Sequence, residues 1–315
     1  MSRIHDALKK AEEERAKKPA TSLDSKTSDI TDVGVSGQLD EVSQVMDDAG
    51  ESFNSESVIA ADQLTVDTLN HQVRRAKWNP NLKTMLFFGP ESYAIGTEEF
   101  RTLRSRLYGM RDVQPLRTVL VTSASPGEGK SFISANLAQI LAQQAGRRVL
   151  LIDGDLRWSR LHLSLGACAS PGLTEYLAGE ADELSVMQRG PLENLYFIPG
   201  GKHSANPAEL ISNGRLEHLL HLVSPLFDWV IVDSPPAMAV SDPRVMSSMC
   251  EGVLLVVAAD MGPYEIVQKT RQQFNDKRVL GVVLNRADPR NSYSYKYYGY
   301  YQEGEEKGRG KKRKG

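Results

Sequence analysis

A glycine-rich stretch, Ala124-Ser-Pro-Gly-Glu-Gly-Lys130-Ser131, lies between an apolar run and a helical pattern. At that place a tight turn aims successive backbone N–H groups at a phosphate, and the helix that follows adds the positive end of its dipole. Pro126, Gly127, Glu128 and Gly129 would form the cradle, Lys130 would reach the β- and γ-phosphates, and the Ser131 hydroxyl would ligate Mg²⁺. The first position of the usual pattern, a glycine, is Ala124 here. Carboxylates follow two later apolar runs: Asp153 and Asp155 after RVLLI, and Asp233 after WVIV. Acids at such strand ends suit Mg²⁺, which takes a few carboxylates and completes its shell with water and phosphate oxygens. The chemistry implied is that of a nucleoside triphosphate: hydrolysis, phosphoryl transfer or a nucleotide-driven switch.

The elements needed to position these residues are legible. Strand-like runs occur at 117–122, 148–152, 194–198, 229–232, 252–258 and 279–284, with helical patterns at 97–110, 131–145, 207–222, 242–249 and 263–275. Strands apolar throughout, alternating with helices, predict a mainly parallel sheet covered on both faces. Right-handed crossovers make it a doubly wound α/β domain over about residues 80–290. Strand ends then converge on one edge, which brings the three aspartates to the glycine-rich loop. No internal repeat is present.

Composition narrows the function classes. The 315 residues are 40% hydrophobic and 25% charged, as expected of a globular protein with a substantial core. The longest strongly apolar run, Gly252–Ala259, is far short of the ~20 residues of a membrane span. No secretory leader opens the chain, and two cysteines, Cys168 and Cys250, form no disulfide framework or zinc motif. A cytoplasmic location is therefore expected. The net charge of −2 conceals a segment at 19–70 with 11 acids against one base, rich in Ser, Thr, Asp and Gly. Such a segment cannot bury enough apolar surface to offset its ordering entropy, and a disordered linker is expected over 19–79. Before it, residues 1–18 pattern as a short helix with Ile4, Leu8 and Ala11 on one side, either solvated or docked to a partner or membrane surface. Residues 291–315 carry a tyrosine cluster and then a basic tail, GRGKKRKG.

That cluster separates the functions a phosphate-binding loop allows. Tyr293, Tyr295, Tyr297, Tyr298, Tyr300 and Tyr301 place six of eleven tyrosines within nine residues. Interleaved glycine and charge make poor core material. An edge-pairing strand or stacking on nucleic acid are the plainer readings. With a nucleotide site on the same chain, a set of tyrosyl phosphate acceptors accounts for it better.

Several motifs together resemble the bacterial tyrosine kinases (BY-kinases) of exopolysaccharide and capsule assembly, over about residues 95–301: SASPGEGKS at 123–131, LLIDGDLR at 150–157 as Walker A′, and VIVDSPP at 230–236 as Walker B. GLTEYLAG, NPAEL, LGVVLN and the tyrosine cluster are also similar to that family, and MSRIHDALKKAEEER is similar to the N-terminus of its exosortase-associated members. After LIDGDLR the chain has Trp158-Ser159 where many members have a second Arg and then Pro. The resemblance implies the MinD/ParA-like class of P-loop NTPase with a deviant Walker A, ATP and Mg²⁺ as cofactors, and protein-tyrosine autophosphorylation. It implies that Lys130 and Ser131 hold phosphates and metal, that Asp155 and Asp233 orient the metal, and that Asp153 takes the proton of the incoming tyrosine, though spacing alone does not separate Asp153 from Asp155. Asn285 would meet adenine, or else be a simple strand-ending turn residue.

The family also implies partners. Glu98, Arg101 and Arg104 form an E-x-x-R-x-x-R pattern on one side of a helix, an ordinary set of surface ion pairs or, as in the family, the contact of a subunit ring that phosphorylates in trans. A separate transmembrane chain-length regulator (the polysaccharide co-polymerase) is expected as activator, with residence at the inner face of the cytoplasmic membrane, a tyrosine phosphatase as counterpart, and no nucleic acid. The alternatives are a ParA/MinD-like ATPase switch, whose relatives carry a lysine where this chain has Ser125, and a nucleotide-binding scaffold without transfer. The histidines, including His218 and His221, form no metal motif, and both cysteines are expected to be inert.

Overall fold

The computed structural model describes residues 64–88, 96–274 and 279–288, all within the unit that runs from Ala60 to Gly315. The expected N-terminal helix, most of the acidic segment and the tyrosine cluster lie outside the described residues. In chain order the elements are α1 (Val66–Gln72), β1 (Arg74–Arg75), α2 (Thr97–Arg111), β2 (Thr118–Ser123), α3 (Lys130–Ala142), β3 (Val149–Asp153), α4 (Leu161–Leu165), α5 (Leu173–Leu177), α6 (Glu183–Val186), β4 (Gln188–Arg189), β5 (Leu195–Ile198), α7 (Pro207–Ser212), α8 (Arg215–Val223), β6 (Trp229–Asp233), α9 (Asp242–Met249), β7 (Gly252–Ala258), α10 (Tyr264–Gln272) and β8 (Val279–Asn285).

The strands form one sheet in the order β1-β4-β5-β3-β6-β2-β7-β8, parallel except where β4 meets β5. Every residue of β2, β3, β5 and β6 is buried, as uninterrupted apolar strands require when helices cover both faces. Alternation along the strands divides the core. Leu150, Ile152, Val230 and Val232 face one cluster, with residues of α5, α8 and α9. Val149, Leu151, Trp229 and Ile231 face the other, with residues of α2 and α3. β6 lies between β2 and β3, so the chain crosses over a strand through α3, and the ends of all three strands open on the same edge.

Two expectations are corrected. The acidic segment does not run as linker to residue 79: α1 begins at Val66, capped by the Thr65 side chain, and buries Leu69 and Val73 against the first cluster while β1 pairs with β4. A hydrophobic spacing of three to four residues outweighs the local acidity there. The pattern at 207–222 is two helices, not one. Asn213-Gly214 separates α7 from α8, with Gly214 at φ +85° and the Asn213 amide donating to the Leu177 carbonyl at 2.9 Å.

Candidate active site

The loop between β2 and α3 is braced from within. The Ser125 N–H donates to Glu128 Oε2 at 2.6 Å, and the Ser123 hydroxyl donates to the Ser125 carbonyl at 2.8 Å. Glu128 is buried, so its carboxylate is a strut of the loop, and the groups suited to an anion are the remaining backbone N–H groups and the start of α3. Gly127 and Gly129 have φ of +83° and +95°, a region costly for any side chain. At Gly129 space is a second constraint, because a Cβ would run into the side-chain amide of Asn285. That amide donates to the Glu128 carbonyl at 2.8 Å and so ties the end of β8 to the loop.

Lys130 and Ser131, the first residues of α3, meet the carboxylates of the neighbouring strands. Lys130 Nζ donates to Asp155 Oδ2 at 3.0 Å and lies 3.4 Å from Ser131 Oγ. The Ser131 hydroxyl donates to Asp233 Oδ2 at 2.5 Å. One turn on, Ser134 Oγ is 3.0 Å from Asp233 Oδ1 and 2.9 Å from the Lys130 carbonyl. Gly154 lets the strand ends approach: its N–H donates to the Asp233 carbonyl at 2.8 Å, and a Cβ there would lie 2.6 Å from that oxygen. Asp153 Oδ2 accepts from the Ser159 hydroxyl at 2.8 Å and the Leu161 N–H at 3.1 Å, and its Oδ1 from the Asp155 N–H at 3.3 Å. Arg157 forms a two-pronged pair with buried Asp242 at the start of α9, at 2.8 and 3.1 Å, which pins the segment after Asp155.

Charge is unbalanced in this cluster. Asp153, Asp155 and Asp233 are all at most 3% exposed, against the single ammonium of Lys130. Burial, reinforced by Asp233, pushes the Asp153 carboxyl up to about 7, and burial also raises Asp233 despite Lys130 and the Ser131 hydroxyl. Burial opposes the charge on Lys130, but the Asp233 and Asp155 carboxylates outweigh it and hold the ammonium above its usual range. A divalent cation is the natural complement. Among the described residues no cluster of three or more His, Cys, Asp or Glu makes a cation cage. Hard oxygens from Ser131 and one or two aspartates still fit Mg²⁺, which leans on water and phosphate for its other ligands. Lys130 and the loop fit the triphosphate. Bound there, Mg²⁺ would supply neutralisation of charge on the phosphate oxygens.

The structure thus brings together Gly127, Glu128, Gly129, Lys130, Ser131, Asp153, Asp155, Asp233 and Asn285, with Pro126 exposed at the rim. It places Glu98, Arg101 and Arg104 elsewhere, on α2: the first two pair with each other, and Arg104 donates to the Ile140 carbonyl at 3.2 Å. Sequence reasoning missed Ser134, Ser159 and the Arg157–Asp242 pair. Only Ser134 left a signal, at three residues from Ser131 on one helix face. His218 and His221 are exposed on α8, and burial pushes the Cys250 thiol up to about 12, consistent with inertness.

Residues 119–309 match the CobQ/CobB/MinD/ParA nucleotide-binding domain. A tyrosine-protein kinase of Bacillus subtilis, YwqD, is 32% identical over 211 residues, 66% of this chain and 89% of YwqD. The chain belongs to the bacterial tyrosine-kinase family. The kinase domain of the Escherichia coli tyrosine kinase ETK superposes with a TM-score of 0.57 at 32% identity, over 62% of this chain and 79% of that domain. A putative tyrosine-protein kinase of Ralstonia nicotianae, EpsB, is 37% identical over 211 residues, 65% of this chain. This BY-kinase chain spans only 28% of EpsB, and 34% of the Erwinia amylovora relative AmsA. No helix among the described residues is long and apolar enough to cross a membrane.

Proposed function

We propose that the chain is a Mg·ATP-dependent protein-tyrosine autokinase whose acceptors are Tyr293, Tyr295, Tyr297, Tyr298, Tyr300 and Tyr301. One observation supports this most: Asp153 sits in register with Asp233 at the loop that carries Lys130, in a member of a tyrosine-kinase family with six tyrosines beyond the last strand. Lys130 and the loop N–H groups hold the phosphates. Ser131, Asp155 and Asp233 hold Mg²⁺ and its waters. Asp153 accepts the tyrosine proton as the phenol oxygen attacks, in a reaction that rests mainly on positioning and charge neutralisation. Asn285 borders the adenine.

The same reading extends to the assembly. Glu98, Arg101 and Arg104 join copies into a ring in which one copy's tail enters its neighbour's site, and accumulating phosphate opens the ring by repulsion. A transmembrane chain-length regulator supplies the activating segment at the inner face of the membrane, a phosphatase resets the tail, and the output is control of exopolysaccharide polymerisation and export. The test is mass spectrometry of the protein with Mg·ATP beside Lys130→Ala. Phosphate on Tyr293–Tyr301 in the wild type alone is expected. ADP release with no phosphotyrosine, in the presence of an activator segment, would instead mark a MinD/ParA-like switch.

A further inference from the structure

Ser159 places a hydroxyl beside the Asp153 carboxylate. It follows the DGD segment by four residues, and its Oγ lies 2.8 Å from Asp153 Oδ2. The same carboxylate oxygen takes the Leu161 N–H at 3.1 Å, whereas Oδ1 has only the longer contact of 3.3 Å with the Asp155 N–H. The two oxygens of Asp153 are therefore not equivalent. Oδ2 is held by the 159–161 segment, and Oδ1 is the less engaged.

The slot for the hydroxyl is built from the far side as well. Gly200, just past the end of β5, faces Ser159: a Cβ on Gly200 would lie 2.6 Å from both Cβ and Oγ of Ser159, and 3.6 Å from the Asp153 carbonyl. The segment itself cannot drift, because the Trp158 N–H donates to Asp155 Oδ1 at 3.1 Å and Arg157 is clamped to Asp242. His162 Nδ1 lies 3.5 Å from Ser159 Oγ.

We propose that Ser159 is a positioning residue for the transfer reaction: seated in the slot left by Gly200, its hydroxyl fixes the rotation of the Asp153 carboxylate, reserving Oδ2 for the protein and leaving Oδ1 for the acceptor hydroxyl. This rests on the kinase reading and on Asp153 as its base. A side chain without the hydroxyl leaves Oδ2 with the Leu161 N–H alone, so the carboxylate is held less firmly about its last bond, a displacement that positioning-dependent catalysis registers strongly.

The experiment compares full-length wild type, Ser159→Ala, Gly200→Ala and Asp153→Asn, measuring transfer from Mg·ATP to a peptide of residues 289–305, with kcat and the KM for ATP resolved, and thermal melting as a fold control. Ser159→Ala is expected to lower kcat roughly tenfold, at the lower end of what loss of an orienting partner costs, with the KM for ATP within about twofold, since phosphate contacts are untouched. Gly200→Ala, which displaces the hydroxyl without removing it, should lower kcat in the same direction. An active wild type and an inactive Asp153→Asn beside an unaltered Ser159→Ala overturn the role of Ser159 alone, as does a loss in Ser159→Ala carried by KM or by melting temperature. With the activator segment present, an Asp153→Asn variant as active as wild type, or a wild type that transfers no phosphate, sinks the underlying reading and this role with it.

Discussion

Asp153 and Asp233 are register partners on adjacent parallel strands, both about 1% exposed. Two carboxylates placed side by side in the core are a cost to the fold, because burial and mutual repulsion oppose their ionisation. Such a cost persists where a site needs negative charge to meet a cation or a proton.

The cost has a pH signature. Asp153 titrates near 7 in the folded chain against an ordinary value of 3.8, so the folded chain binds more protons than the unfolded one between those values. Stability without nucleotide is therefore greatest below about pH 4 on this group's account, and falls as pH rises toward 7. Asp153→Asn should flatten that slope and gain about 1–3 kcal/mol at pH 8, while lowering tyrosine transfer by on the order of 100-fold or more. Urea melts at pH 6 and pH 8 check the first part, and phosphate incorporation the second. A variant less stable than wild type at pH 8 would count against the electrostatic account.

Lys130 is the counterweight to these acids. Its partner Asp155 has a side chain 5% exposed, and breaking a largely buried pair by removing one member typically costs about 3–5 kcal/mol. Lys130→Ala should therefore lose stability as well as transfer, and Lys130→Ala with Asp155→Asn should recover part of the stability but none of the activity. Melting temperatures of the two variants, read with phosphotyrosine content, separate the roles.

What the sequence disclosed and concealed follows from contiguity. The strands were visible because burial on both faces writes an unbroken apolar run, as in VLLID and WVIVD. Lys130, Ser131, Asp153, Asp155 and Asp233 were visible because loop and strand-end chemistry is spelled in adjacent residues. The two-residue strands β1 and β4 carry no period, and both read only as charged or polar pairs. Ser159 was noticed as a departure and not as a partner, since its bond to Asp153 depends on a turn that no spacing rule specifies. Arg157 and Asp242 are 85 residues apart, and only the fold, which sets the start of α9 against the segment after β3, unites them.

Residues 64–79 are part of the fold and not a tether. Leu69 is fully buried in the core cluster that also holds Tyr176, Leu220 and Phe227, and Asn70 accepts from the Tyr196 hydroxyl at 3.3 Å. Leu69→Ala should cost about 2–4 kcal/mol, the range for truncating a buried leucine, with no change in the KM for ATP beyond what residual unfolding explains. An unchanged urea midpoint would return this segment to the status of a linker.

Gly129 answers to two demands at once, a positive φ and contact with Asn285. Alanine there adds roughly 1–2 kcal/mol of backbone strain and also pushes the Asn285 amide off the Glu128 carbonyl. Asn285→Ala removes only the second contact. Both variants should weaken ATP, but by different amounts. In Asn285→Ala the loop keeps its φ values and its Glu128 strut, so the thermal shift produced by Mg·ATP should shrink while persisting. In Gly129→Ala the N–H groups that face the phosphates lose their common direction, so the shift should vanish even at saturating nucleotide. Titrating both variants with Mg·ATP by differential scanning fluorimetry orders them. Equal losses would mean that the tie from β8, and not the turn, controls the cradle.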